Sequence, residues 1–230
     1  MTLVEDYGLN SQSRTLLLLV LSIDDCNHNK AMDILHIQKV IRLFERSRQK
    51  KSIDFSNFKL GGVSYELEEN IESLTEYDLI EQTGNYFNLT AEGEEGVNLL
   101  KHQFDATEFR ELDYAKKLLG DLPSDELMYF MYKTIPETQE HSTETLRLER
   151  KAEGLVKSLF LKRKIDATTA SKWLGLSLAD FVKKFHKKVL SAEMQQVLVE
   201  GYQQSVDEDL AIAKEFESID HEFDCECDDV

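Results

Sequence analysis

The stretch GGVSYELEENIESLTEYDLIEQTGNYFNLTAEGEEG, Gly61 to Gly96, holds a helix, two short strands and the start of another helix. Ser64 stands at an N-cap position ahead of Leu67, Ile71 and Leu74, which recur at helical spacing. The glutamates between Glu66 and Glu69 favour the positive N-terminal end of that helix. Leu79–Gln82 and Tyr86–Leu89 read as strands joined by the hairpin turn Thr83-Gly84-Asn85. Thr90 caps the next helix, whose early turns Gly93 and Gly96 are expected to weaken. Working upstream, Ile34, Ile37, Val40/Ile41 and Phe44 mark a helix from Asp33, ending in Arg46, Arg48, Lys50 and Lys51. Before it, Leu16–Ile23 is uniformly apolar and short, a buried helix, and Asp24–Lys30 is a loop.

Helix, helix, hairpin and helix is the layout of a winged helix. DILHIQKVIRLFE, GGVSYELEENIESLTEYDLIEQ and YFNLTAEGEEG together resemble a family of prokaryotic winged-helix proteins without an assigned chemistry. LPSDELMYFMYKTIPETQEHS is similar to a segment that often follows in that family, so the resemblance covers roughly residues 14–142. Where the family has Gly-Pro this chain has Gly61-Gly62, which changes the turn into the helix. The helix placed to enter a major groove carries Glu66, Glu68, Glu69, Glu72 and Glu76 and no Lys or Arg. DNA phosphates repel such a face, so this domain is expected to dock on protein or on itself.

The wider composition agrees with a mainly helical chain: 230 residues, 41% apolar, with 2 prolines and 10 glycines. The net charge of −17 is unevenly spread. Residues 1–145 hold fourteen Lys/Arg against twenty-seven Asp/Glu, a net of −13. Residues 146–190 hold twelve against four, a net of +8, and residues 191–230 one against thirteen, a net of −12. Cys26, Cys225 and Cys227 make no disulfide framework, and Leu16–Leu21 is too short to span a bilayer. A reducing, cytoplasmic setting away from membranes is the expectation.

Glu108–Leu119 and Ser124–Ile135 read as two further helices, the second capped by Ser124 and packed through Met128–Tyr132. Thr134–Thr145, with Pro136, is the expected linker. In the basic block, Leu155, Leu159 and Phe160 form one helix stripe. Asp166 caps a short helix that Gly175 closes, and Ser177 caps a third carrying Phe181, Val182 and Phe185. That is helix-turn-helix geometry. Lys164-Ile165, Ala170-Ser171, Trp173–Ser177 and Asp180-Phe181 resemble a family of small, often antitoxin-like prokaryotic helix-turn-helix proteins over about residues 151–190. Lys172, Ser177, Lys183, Lys184, Lys187 and Lys188 are the candidate DNA contacts.

From Ser191 an amphipathic helix with Met194, Val197/Leu198, Tyr202 and Val206 runs into an acidic tail ending IDHEFDCECDDV. VEGYQQSVDEDLAIAKEF resembles the C-terminal segment of MazE-type antitoxins, which lies across a toxin ribonuclease dimer and blocks its RNA site. The resemblance implies partner contacts at Leu198, Gly201, Tyr202, Val206, Leu210, Ala213, Phe216 and Phe223. His221, Cys225 and Cys227 lack four-ligand zinc spacing, and no phosphate loop or catalytic triad signature is present. Neither an enzyme, a metal nor a cofactor is expected.

The expected domains are a winged helix with a small hairpin wing (1–104), a helical connector and linker (105–145), a basic helix-turn-helix (146–190), and an amphipathic tail helix with acidic end (191–230). The function expected is a homodimeric antitoxin and repressor that holds operator DNA and neutralises a toxin ribonuclease. The alternative is a transcription regulator or protein-interaction scaffold without a toxin.

Overall fold

A computed structural model describes residues 12–22, 31–48, 53–58, 61–101 and 105–189. The chain forms two compact units, residues 1–175 and 176–230. Among the described residues there are ten helices and one three-stranded antiparallel sheet, so the chain is mainly helical. None of those helices is long and apolar enough to cross a membrane.

The first unit is built around α1 (Gln12–Ser22), in which Leu16 through Leu21 expose no surface at all. A helix apolar on every side is stable only when wrapped by other elements. β1 (Met32–Asp33) leads straight into α2 (Ile34–Ser47), and Asp33 caps that helix by accepting the His36 backbone N–H at 2.8 Å. Ile37, Val40, Ile41 and Phe44 of α2 are buried, matching the sequence pattern. A short hairpin of β2 (Ser56–Phe58) and β3 (Gly61–Val63) follows. The sequence reading missed both β1 and this hairpin, because strands of two or three residues carry no usable alternation.

α3 (Tyr65–Glu76) starts at the expected cap, where Ser64 Oγ accepts from the Leu67 N–H at 3.4 Å. It ends with Asp78 in the left-handed region at φ 57°, while the Leu79 N–H reaches back to the Leu74 carbonyl at 2.9 Å. Leu79 therefore closes the helix, and the strand starts one residue later than read. β4 (Ile80–Thr83) pairs antiparallel with β5 (Tyr86–Leu89), turning at Gly84 with φ 63°. β5 also pairs with β1, giving the order β1-β5-β4 with the last strand in sequence at the centre.

α4 (Ala91–Lys101) is capped by Thr90, whose Oγ1 accepts from the Gly93 N–H at 3.0 Å and donates to the Asp78 carbonyl. Gly93 has a packing role that the sequence reading did not assign it. A Cβ there would lie 2.0 Å from the Leu79 carbonyl oxygen, so glycine admits a close approach between α4 and the start of the hairpin.

α5 (Ala106–Leu119) packs on α2, capped by Asp105. α6 (Ser124–Thr134) buries Leu127 through Tyr132 without a break. Ser124 is its first helical residue and provides no side-chain cap, another departure from expectation. The stretch read as a linker is packed: a 3-10 turn, Pro136–Gln139, buries Thr138, and Gln139 Nε2 donates to the Tyr132 carbonyl at 2.6 Å. α7 (Thr145–Arg150), α8 (Ala152–Leu161) and α9 (Ala167–Trp173) complete the first unit. The Trp173 ring meets Tyr129 and Phe130 edge-on at 6.0 and 5.7 Å, joining the basic block as far as Gly175 to α6. In the second unit the described element is α10 (Leu178–Val189).

Candidate nucleic-acid interface

Four of the twelve Lys and Arg residues of the basic block pair with acids that lie outside it in sequence. Arg147 makes a bidentate pair with Asp125, at 2.6 and 2.8 Å, and Lys151 Nζ joins the same carboxylate at 2.8 Å. Lys162 pairs with Glu126 at 2.8 Å, and the Ser158 hydroxyl donates to the other oxygen of that carboxylate at 2.8 Å. Lys164 pairs with Asp121 at 2.7 Å. Hydrogen bonds from Arg147, then from Lys151, hold the Asp125 carboxyl well below the usual carboxylate range. These four cations therefore spend their charge against acids twenty or more positions upstream. No window of sequence joins such partners, so the charge count overstated the field available to phosphates.

α10 is the better candidate. The Asp180 N–H donates to Ser177 Oγ at 3.0 Å, and the Ser177 hydroxyl donates back to Asp180 Oδ2 at 2.7 Å. This reciprocal cap begins the helix as the sequence suggested. Phe181 and Phe185, one turn apart, are buried with ring centroids 4.7 Å apart. Lys183 and Lys184 are exposed, and Lys184 Nζ lies 5.8 Å from the Phe185 ring centroid. Leu178 and Val182 also remain exposed, at 43% and 42%.

Of the six expected DNA contacts, Ser177, Lys183 and Lys184 share α10, with Ser177 engaged in the cap. Lys172 is exposed in the last turn of α9, in the other compact unit, where hydrogen bonds from Thr169 and then the Lys172 charge lower the Asp166 carboxyl. Lys187 and Lys188 belong to the last turn of α10, and their side chains lie outside the described residues. All the expected partner contacts, Leu198, Gly201, Tyr202, Val206, Leu210, Ala213, Phe216 and Phe223, lie outside them too.

Two features of the first unit escaped the sequence reading. His36 bridges Asp33 Oδ1 and the Leu122 carbonyl, both at 2.7 Å, tying the start of α2 to the α5–α6 loop. Burial opposes its charge, but the Asp33 and Leu122 bonds, with Asp121 nearby, outweigh burial and raise its pKa. Lys39, which is 1% exposed, donates to the Gly62 carbonyl at 2.7 Å. Burial, then the charge of Arg42, pushes the amine down to about 8. On α3, Glu66, Glu69, Glu72 and Glu76 are exposed, flanked by Tyr65 and Tyr77. No cluster of three or more His, Cys, Asp or Glu suited to a metal occurs among the described residues, and His221, Cys225 and Cys227 lie outside them. Compared with known proteins, the chain matches no family model and no curated protein.

Proposed function

We propose that this chain is a DNA-binding regulator of antitoxin type, with α10 as its phosphate-contacting helix. The observation that carries this reading is α10 itself: a capped helix with Phe181 and Phe185 buried and Lys183 and Lys184 exposed. The cap fixes where the helix begins, and the two lysines supply a sequence-independent attraction for backbone phosphates. Dimeric binding to paired half-sites would multiply that modest charge. The acidic tail, on its likeness to MazE-type segments, is the part assigned to a toxin ribonuclease, with carboxylates taking the place of RNA phosphates. Within the first unit, residues 1–104 are assigned as a winged helix used for docking. Its strand order β1-β5-β4, with β4 and β5 forming the hairpin after α3, supports that assignment, and the exposed glutamates of α3 favour protein over DNA as its partner.

A second reading, a protein-interaction scaffold without DNA, is favoured by the internal pairing of Arg147, Lys151, Lys162 and Lys164. Gel shifts with mixed-sequence duplex separate the two. The Lys183→Ala/Lys184→Ala double variant should bind more weakly and lose about two units of salt slope, one per phosphate contact. Equal affinity and slope for parent and variant at low salt would leave the scaffold reading. For the toxin arm, co-purification of a ribonuclease with the tagged full chain is the expected result, lost on Tyr202→Ala and Phe216→Ala substitution.

A further inference from the structure

We propose that the acidic C-terminal segment, residues 191–230, docks on the face of α10 that carries Leu178, Val182 and Lys183 of the same chain. Leu178 and Val182 stand one turn apart and leave more than two fifths of their surface open, on a helix whose neighbouring Phe181 and Phe185 are buried. Phosphate binding has no use for an open Leu-Val pair. Going round the helix from Val182, exposed Ala179 stands at about 60° and exposed Lys183 at about 100°, so cationic surface flanks the apolar pair. The ligand such a strip fits is a peptide with apolar residues at helical intervals and carboxylates between them.

The chain supplies that peptide. Met194, Val197/Leu198, Tyr202 and Val206 recur at helical spacing, and Leu210 and Phe216 extend the stripe after a slip around Asp207–Asp209, in a segment with one Lys against thirteen Asp and Glu. Its net charge of −12 is opposite in sign to α10, and the segment follows α10 directly in sequence. Forty residues, about 60 Å if fully helical, are ample to turn back over a helix of twelve residues. Covalent attachment places the segment at an effective concentration on the order of millimolar, so even a weak contact is populated. For the regulator reading, on which only this consequence rests, the segment then covers Lys183, one of the two described lysines that would meet DNA. A partner that captures the tail would release it.

The test uses the full chain and a variant with Asp207→Asn, Glu208→Gln, Asp209→Asn, Glu215→Gln and Glu217→Gln. Amide hydrogen exchange across α10 is read by mass spectrometry, and affinity for a mixed-sequence DNA duplex is measured alongside. Docking predicts about tenfold faster exchange in α10 of the variant and about tenfold tighter duplex binding. Faster exchange without duplex binding by either protein supports docking and counts against the DNA reading. Unchanged exchange, with duplex bound equally by both, overturns docking and leaves the DNA reading standing. Protection that fades on dilution through the micromolar range identifies the tail of a second copy as the occupant and overturns docking within one chain.

Discussion

At the scale of single residues, Gly93 shows why a glycine must be judged in three dimensions. Its absent Cβ makes room for the Leu79 carbonyl, an oxygen that α3's closing turn and the β4–β5 hairpin hold in place. Gly93→Ala should therefore destabilise by about 2–3 kcal/mol in urea unfolding, although alanine is the better helix former. A neutral or stabilising result would show that α4 can shift. His36 makes a second, pH-dependent prediction. Its folded pKa is raised, so its stabilisation is complete below the unfolded value of about 6.5 and is lost as pH rises through the folded value. Asp33 has the opposite limb: its pKa is lowered, and its share is present above about 4 and lost as pH falls. Unfolding free energy should fall as pH rises past about 6.5, and His36→Gln should flatten that fall while leaving the acid limb. Above pH 8 the lowered amine of Lys39 acts the other way, since the unfolded chain then binds the extra proton. A titration of the His36 ring at or below its ordinary value would remove the basis for this slope.

At the scale of elements, the clearest lesson comes from α9. Its cap, length and closing glycine were legible, because Asp166, Ala170 and Gly175 act within one short window. Its packing partner was not. Trp173 reaches Tyr129 and Phe130 on α6, more than forty positions upstream, and so incorporates a segment that charge alone had set apart. Trp173→Ala should cost about 2–3 kcal/mol, less than for a fully buried indole because Trp173 is partly exposed. Trp173→Phe should recover part of the loss. Trp173 is the chain's one tryptophan, so circular dichroism rather than fluorescence must follow the transition. Loss of less than about 0.5 kcal/mol would mean that α9 is held by its links to α8 alone.

At the scale of the molecule, charge is arranged in two opposite ways. Locally it pairs: Asp125, Glu126 and Asp121 each hold cations from the basic block. Globally it repels, with a net of −17. Exposed pairs are worth little and salt weakens them, so Asp125→Asn should cost less than about 1 kcal/mol. Self-repulsion of the whole chain is screened by the same salt. Raising salt from 0.05 to 0.5 M should thus raise the thermal midpoint by a few degrees, with the long-range term outweighing the pairs. A falling midpoint would reverse that order.

The sequence by itself determined most of the helices, the caps at Ser64, Thr90, Asp166 and Ser177, and the β4–β5 hairpin. Caps, apolar spacing and turn residues act over a few positions, and Ser64, Asp166 and Ser177 all sit where local chemistry puts them. It also set the uneven charge and the apolar-acidic pattern of the tail. Only the tertiary structure decided which charges stay available, why Gly93 is glycine, and that residues 134–145 pack instead of linking. Each of those depends on groups distant in sequence meeting within a few ångströms. Such contacts are fixed by how α1 is wrapped and by what α6 gathers around it, and periodicity along the chain carries no record of them.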